Sequence, residues 1–293
     1  MTPDIEVRNL HLRYRDSVAI HDLTFTLDGG KIYGLLGRNG AGKTSLLSVL
    51  AGFRLASGGA VRVGGEDPFD NPRVAPQTCF VRETLDFVES VRVRDTLAFA
   101  RRFRPYWDAG YAAKLVERFE LPVGRRVTAL SRGMRSALGV TLGLASRAPL
   151  TIFDEAYLGM DAPSRYAFYE ELLADYLAYP RTVILSTHLI EEVAALFEEV
   201  VIIDRGRLVV HAEADDLRSR GAAVTGPAEA VDRFTAGLTV LGEQWLGTTK
   251  SATVTGPLDE PWRREARAAG LELGPVALQD LFVHLTKDRE GPR

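Results

Sequence analysis

Hydrophobic and polar residues alternate near the start of the chain and give way to short apolar runs further along. The alternation in residues 5–14 and 23–27 predicts two strands that each bury one face. The runs at 150–153 and 182–185 consist of apolar or β-branched residues, which is typical of parallel strands buried on both faces. Further strands are predicted at 31–36, 60–63, 200–204 and 208–210.

Helical patterns lie between these strands. A helix is predicted over 43–51, where it follows a glycine-rich loop and stops at Gly52. Residues 94–147 are predicted to be largely helical, with one apolar stripe formed by Ala112, Leu115, Val116 and Phe119. A third helix is predicted over 163–179, with Pro163 in its first turn. Strands that alternate with helices in this way predict an α/β fold with a parallel sheet.

The composition changes near residue 218, and the remaining segment carries a weak internal repeat. Val224-Thr225-Gly226-Pro227 returns as Val254-Thr255-Gly256-Pro257. Each copy is typical of a strand, a Gly-Pro turn, a helix and a strand, which together predict a small βαββαβ domain. We therefore expect one domain over 1–218 and an accessory α+β domain over 219–293.

Composition and charge exclude several classes of function. The 36 basic and 39 acidic residues give a net charge of −3, which argues against nucleic acid as a partner. No run approaches the ~20 apolar residues that span a bilayer, and the first residues lack the pattern of a signal peptide. The single cysteine, Cys79, excludes an internal disulfide and is compatible with a reducing cytoplasm. A role at the membrane would therefore require a partner chain.

The strongest local signal for chemistry is the segment Gly37–Thr44, which matches the pattern G-x-x-x-x-G-K-[ST] between a predicted strand and a predicted helix. Glycines let backbone N–H groups surround phosphate oxygens, and a helix N-terminus adds positive potential. Lys43 is expected to bind the β- and γ-phosphates, and Thr44 to ligate Mg²⁺. The alternative is a glycine-rich turn with a surface lysine. The expected nucleotide contacts are Gly37, Asn39, Gly40, Ala41, Gly42, Lys43, Thr44 and Ser45.

Two adjacent carboxylates, Asp154 and Glu155, follow the apolar strand at 150–153. Ligand crevices of parallel sheets open at the carboxyl ends of the strands. Asp154 is therefore a candidate Mg²⁺ ligand, and Glu155 a candidate base that polarises the attacking water. By itself the pattern fits equally well a strand end with two solvated acids.

Two further segments, one before and one after the strand at 150–153, are weaker indications of a functional site. Leu130-Ser131-Arg132-Gly133-Met134 opens an Ala/Leu-rich helix, and alone it indicates no more than an N-cap serine followed by a glycine. His188 follows the buried strand at 182–185 directly, although an isolated histidine is more often structural than catalytic.

In this order, the segments resemble the nucleotide-binding subunit of an ABC transporter over residues 4 to about 218. Residues 130–134 stand where that family carries its signature LSGGQ, and 151–155 resemble its Walker B strand with the catalytic glutamate. Residues 158–161 resemble its D-loop, and His188 its switch histidine. The resemblance implies a P-loop NTPase of ABC type, with a parallel core sheet, an antiparallel β subdomain and a helical subdomain.

The resemblance also implies roles for individual residues. Tyr14 matches the aromatic residue that stacks on adenine, although an ordinary strand tyrosine is the alternative. Ser131 and Gly133 resemble the contacts to the γ-phosphate, and His188 is expected at the same phosphate. Asp161 is expected at the nucleotide site through the D-loop.

Three positions depart from the family pattern. The family usually carries glutamine in its Q-loop, and here the matching stretch, 78–84, places Glu83 at or next to that position. A carboxylate can still ligate Mg²⁺, so Glu83 is a further candidate metal ligand. Arg132 replaces the first signature glycine. Met134 replaces the signature glutamine, as is common in the efflux-type branch, whose permeases are separate polypeptides.

The resemblance thus implies an ATPase subunit of an ABC exporter that uses ATP and Mg²⁺. Its partners would be a second ATP-binding subunit, identical or not, and a transmembrane permease that docks near the Q-loop and residues 84–147. We expect it in the cytoplasm, on the inner face of the cell membrane. One alternative is an ABC-type ATPase acting on DNA or ribosomes, but such relatives usually carry two cassettes or a long coiled coil. Another is a non-hydrolysing subunit, which the intact Lys43, Asp154, Glu155 and His188 disfavour.

Overall fold

The structure is a computed structural model that describes residues 2–15, 17–83, 90–256, 258 and 260–287. The chain divides into two compact units. The first contains residues 1–188 and 201–210, and the second contains residues 189–200 and 211–293. Within the described ranges, no helix is both long enough and apolar enough to cross a bilayer.

The first unit is built on two sheets. It contains all or most of the residues of nine strands, which are β1 (Ile5–Tyr14), β2 (Ser17–Leu27), β3 (Ile32–Leu36), β4 (Gly58–Val63), β5 (Thr78–Arg82), β6 (Leu150–Asp154), β7 (Thr182–Thr187), β8 (Glu199–Asp204) and β9 (Arg207–Glu213). A three-stranded antiparallel sheet has the order β2-β1-β4, and a six-stranded sheet has the order β5-β6-β7-β3-β8-β9. The β5–β6, β6–β7 and β7–β3 pairs are parallel, so the expected parallel core sheet is confirmed.

Burial explains why these segments form strands. Every residue of β3, β6 and β7 is buried, which matches the apolar and β-branched residues that make up most of each strand. In β1 buried and more exposed positions alternate over much of the strand, with irregular register next to β2. Its inward side chains join a core cluster that includes residues from both sheets.

The helices of the first unit begin at recognisable caps. They are α1 (Lys43–Leu50), α2 (Val93–Phe103), α3 (Ala109–Arg118), α4 (Arg132–Ser146) and α5 (Ala162–Ala178). The side chains of Asp108, Ser131 and Asp161 accept backbone N–H groups at the starts of α3, α4 and α5. The predicted helical region at 94–147 is therefore divided into three α-helices and a short 3-10 helix at Val127–Ala129.

Strand β5 is not among the strands that the sequence pattern predicts. Its five residues, Thr-Cys-Phe-Val-Arg, are short and carry no clear alternation, and its pairing partner β6 lies about 70 positions away. In the parallel register Arg82 lies opposite Asp154, and the Glu83 N–H donates to the Asp154 carbonyl oxygen at 3.0 Å. This pairing brings Glu83 to the edge where Asp154 ends β6. Thr84, at the end of the predicted Q-loop stretch, lies outside the described residues.

The second unit contains a four-stranded antiparallel sheet and five α-helices within its described residues. They are α6 (Ile190–Val193), α7 (Ala214–Ser219), β10 (Gly221–Pro227), α8 (Ala228–Thr235), β11 (Thr239–Leu246), β12 (Thr249–Thr255), α9 (Glu260–Ala268), β13 (Glu272–Gly274) and α10 (Leu278–Lys287). The sheet order is β11-β12-β10-β13. From β10 to β13 the elements follow the order βαββαβ, which is the order that the internal repeat predicts.

The two central strands of this sheet contain residues of the internal repeat. Val224 of the first copy lies in β10 and Val254 of the second lies in β12, and these strands pair with Ala222 opposite Val254 and Val224 opposite Ala252. All four side chains are buried in one apolar cluster. The compact unit also includes residues upstream of 219, and the assignment of 219–293 as a separate accessory domain stays a prediction.

Candidate functional site

The loop that connects β3 to α1 is shaped by close backbone contacts. Gly42, the N-cap of α1, has φ 103°, and a Cβ there would lie 2.7 Å from the Ala19 carbonyl oxygen. A Cβ on Gly37 would lie 2.6 Å from the Ile203 carbonyl oxygen. Side chains are therefore excluded at both ends of the loop. The backbone N–H groups at the start of α1 remain available for an anionic ligand.

Lys43 is the first residue of α1, and its ammonium group is directed back along the loop. The side chain is only 6% exposed. Its Nζ donates to the Gly37 carbonyl oxygen at 2.7 Å and lies 3.4 Å from Oε1 of Glu155. Without a nucleotide, loop carbonyls and a carboxylate thus surround the charge. Phosphate oxygens can replace these partners.

Asp154 ends β6 and is 4% exposed. Burial raises the pKa of this carboxyl above its ordinary value, while the nearby hydroxyls of Thr44 and Ser186 act in the opposite direction. Its Oδ1 has no hydrogen-bond partner among the described residues. A buried, unpartnered carboxylate oxygen beside a threonine hydroxyl is a suitable ligand pair for Mg²⁺. The residues present therefore fit the metal that the sequence predicts.

Glu155 and His188 lie together at the ends of neighbouring strands. Glu155 follows β6 with φ 52°, and its N–H donates to the Ser186 carbonyl oxygen of β7 at 3.1 Å. This backbone geometry directs the carboxylate between two cationic or potentially cationic groups. Oε1 is 3.4 Å from Lys43 Nζ, and Oε2 is 3.4 Å from His188 Nδ1. The two expected catalytic residues are thus neighbours in space.

We expect Asp154→Asn to stabilise the chain while removing magnesium-dependent ATP hydrolysis. Because burial disfavours the ionised carboxylate, the folded state holds the proton of Asp154 more tightly than the unfolded state does. The original chain loses folding free energy as the pH rises through the raised pKa of Asp154, because the buried carboxyl then ionises. The increase in Tm that Asp154→Asn produces should therefore be larger at pH 8 than at pH 5. Calorimetry should show roughly 2–4 °C at pH 8, the shift that about 1 kcal/mol produces at this size. A lower Tm for the variant at pH 8 would contradict this explanation.

A cavity of about 430 Å³ opens over the loop. Its described lining contains most of the expected site residues together with Ala19 and Arg82, neither of which the sequence analysis selected. The expected residues that line it are Asn39, Gly40, Ala41, Gly42, Lys43, Thr44, Ser45, Glu83, Asp154 and Glu155. The volume and the mixture of N–H groups, one ammonium group and carboxylates are compatible with a nucleoside triphosphate and its cation.

Tyr14 lies beside this cavity without lining it. Its hydroxyl donates to Oγ of Ser45 at 3.2 Å, and the Arg54 guanidinium lies 4.1 Å from the centre of its ring. The tyrosine is therefore anchored to the helix that follows the phosphate loop. Its stacking on adenine stays a prediction.

The signature and D-loop residues occupy helix starts outside the described cavity lining of their own chain. Oγ of Ser131 accepts the Met134 N–H at 3.2 Å, and Oδ1 of Asp161 accepts the Ser164 N–H at 3.0 Å. The hydrogen bonds from Ser164 lower the pKa of Asp161. A Cβ on Gly133 would lie 3.0 Å from the Gly159 carbonyl oxygen, so α4 approaches the D-loop closely. The nucleotide contacts of Ser131, Gly133 and Asp161 stay predictions.

Glu83 and Arg132, two of the three departures from the family pattern, form an ion pair with each other. They are 49 positions apart in the chain, so no local sequence pattern indicates that they meet. The contact joins Nη2 of Arg132 to Oε1 of Glu83. Magnesium ligation by Glu83 stays a prediction.

Comparison with known proteins agrees with the geometry of the site. Residues 20–158 match the family described as ABC transporter. The Nod factor export ATP-binding protein I of Burkholderia lata is 30% identical over 300 aligned residues, which cover 96% of each chain. This chain belongs to the ABC transporter ATP-binding proteins. The doxorubicin resistance ATP-binding protein DrrA of Mycobacterium tuberculosis is 29% identical, over 92% of this chain and 89% of that protein.

Solved structures of ABC proteins share the fold. The structure of an ATP-binding subunit of an ABC transporter superposes with a TM-score of 0.66 and 26% identity, covering 73% of this chain and 92% of that one. The structure of a bacterial Atm1-family ABC exporter with ATP bound superposes with a TM-score of 0.63 and 21% identity, covering 74% of this chain and 40% of that one. ABC ATP-binding proteins bind and hydrolyse ATP, so this ABC protein is an ATPase. The family assignment and the fold class that the sequence implied are confirmed.

Proposed function

We propose that this chain is the ATPase subunit of an ABC exporter, which binds ATP with Mg²⁺ and transmits hydrolysis to a separate transmembrane permease. The observation that carries the proposal is the cluster of Lys43, Asp154, Glu155 and His188 at the carboxyl edge of the core sheet. The names of two relatives, which describe Nod factor export and doxorubicin resistance, support export as the direction.

Each group in the cluster has a task in this proposal. The loop N–H groups and Lys43 bind the phosphates, and the start of α1 contributes its dipole. Thr44 and Asp154 hold Mg²⁺, which neutralises charge that develops on the phosphates. Glu155 orients the attacking water and accepts its proton. His188, whose Nδ1 lies 3.4 Å from Oε2 of Glu155, would contact the γ-phosphate.

We propose that a second ATP-binding subunit completes the site. A γ-phosphate requires donors on several sides, and the described lining within this chain covers only part of it. Ser131 and Gly133 lie outside that lining at the exposed start of α4. In the closed pair, the α4 start of one subunit would cover the phosphate loop of the other. ATP then favours the closed pair and hydrolysis releases it.

An apolar groove in the first unit is the proposed docking site of the permease. Its volume is about 780 Å³, and it lies between β5 and α2. Phe53, Phe99 and Phe103 line it with rings that are each more than 60% exposed. Exposed aromatic rings around a groove are typical of protein interfaces. Because the Glu83 end of β5 meets the nucleotide cavity, a partner in the groove would contact a strand that also reaches the ATP site. Docking would hold the chain on the cytoplasmic face of the membrane.

We expect Phe99→Asp to release the tagged chain from host membranes without changing its ATP affinity, because a buried charge opposes docking in an apolar groove. Membrane fractionation followed by mass spectrometry of the copurified permease gives the readout. Leu177→Asp, on the exposed surface of α5 and outside the groove, is the matched control. Equal membrane recovery of both variants would exclude this groove as the docking site.

A further inference from the structure

Glu83 brings a carboxylate to the nucleotide cavity, at or next to the position where the family usually has a neutral glutamine. Its backbone N–H is fixed by the Asp154 carbonyl oxygen at 3.0 Å, and its side chain is 37% exposed. Glu83 lines the cavity together with Asp154 and Glu155. The cavity that must accept a polyanion thus carries three carboxylates, against the cations of Lys43 and Arg82.

Arg132 supplies a cation to Glu83 from another element. It is the first residue of α4, and its guanidinium bonds Glu83 from outside the cavity lining. Gly159 makes room for this side chain, because a Cβ there would lie 2.9 Å from Arg132 Cγ and 3.0 Å from its carbonyl oxygen. The contact therefore depends on a residue of the D-loop as well as on α4.

We propose that Arg132 is a positioning residue that holds and neutralises Glu83, and thereby allows a carboxylate to replace the neutral Q-loop residue beside bound ATP. The inference rests on the proposed function, since it concerns ATP at this cavity. The negative charge that glutamate introduces at one position is offset by the arginine that replaces a glycine at the other. These two of the three departures from the family pattern are then a single compensated change.

The test is a double-mutant cycle that returns each position to the family residue. Arg132→Gly leaves Glu83 uncompensated and should weaken ATP binding about 3- to 10-fold at low salt. Glu83→Gln removes the negative charge while Arg132 remains, and should tighten ATP binding about twofold. The double variant, neutral at both positions, should return to within about twofold of the original chain. Calorimetric titration with ATP in the presence of EDTA gives the dissociation constants, so that the predicted magnesium ligation by Glu83 does not enter the comparison.

Two further measurements separate charge from helix structure. Arg132→Gln keeps a helix-forming residue and should weaken binding as Arg132→Gly does. The loss should shrink when NaCl is raised from about 20 mM to about 500 mM, because salt screens the uncompensated charge. The control cycle uses Arg118→Ala and Glu170→Gln, an Arg–Glu pair at 2.9 Å between α3 and α5, and should leave ATP affinity unchanged.

The outcomes distinguish this inference from the proposed function. If Arg132→Gly binds ATP as the original chain does, or if the double variant is as weak as Arg132→Gly, the compensation is wrong although the chain binds ATP. If the original chain binds no ATP, the proposed function is overturned and this inference with it. The expected rank order, with Glu83→Gln tightest and Arg132→Gly weakest, would support both.

Discussion

Replacing Glu155 by glutamine should lower ATP turnover by about 10²- to 10⁴-fold while leaving ATP bound. The amide keeps the size of the side chain and its place beside His188 and Lys43 but cannot accept a proton from water. ATP should therefore persist in the site, and the closed pair of subunits should accumulate. Phosphate release measures the turnover, and gel filtration with ATP measures the pairing.

The control for this experiment is Glu170→Gln, an exposed glutamate on α5 that lies outside the described cavity lining. It should hydrolyse ATP at the original rate. Turnover of Glu155→Gln at that same rate would remove Glu155 from the role of base. The water would then have to be activated by another group.

Replacing Lys43 by alanine should abolish hydrolysis and weaken ATP binding by at least about 30-fold. That factor corresponds to about 2 kcal/mol, the lower end of the cost of deleting one member of a desolvated charge pair. Lys43 is 6% exposed and has Glu155 within 3.4 Å, so its removal also leaves that carboxylate without its cation. Calorimetric titration with ATP measures the loss.

Circular dichroism should show that the Lys43→Ala variant remains folded, because the lysine contacts loop carbonyls rather than the apolar core. Lys31→Ala is a suitable control, since Lys31 pairs with Asp28 at the surface. An unchanged ATP affinity in Lys43→Ala would place the phosphates elsewhere on the chain.

The parts of the site that lie close together in the sequence were predictable. Phosphate binding by Gly37–Thr44 could be predicted from this segment alone, because its glycines and lysine act within one loop and the start of one helix. The position of Asp154 and Glu155 follows from a single rule, since polar residues after a buried parallel strand meet at the carboxyl edge of the sheet. These inferences need no knowledge of which strands are neighbours.

Features that depend on distant pairing were not predictable in the same way. Strand β5 forms through its pairing with β6, and the parallel register of that pair places Glu83 next to Asp154. The bond between Glu83 and Arg132 requires β5 and the start of α4 to approach, which no local pattern specifies. The position of Arg54 over the Tyr14 ring likewise depends on two separate elements. Side-chain partners across such distances are fixed by tertiary packing.

The strand order of the core sheet also sets the time at which the site can assemble during synthesis. Strand β3, which ends at the phosphate loop, pairs with β7, so that Gly34 lies opposite Leu185. The ribosome therefore completes the phosphate loop long before it makes the strand that holds β3 in the sheet. A nascent chain that ends before residue 187 lacks the complete β7, and ATP cannot act on it as a ligand that stabilises the native fold. Nucleotide can assist the folding of this protein only late in translation.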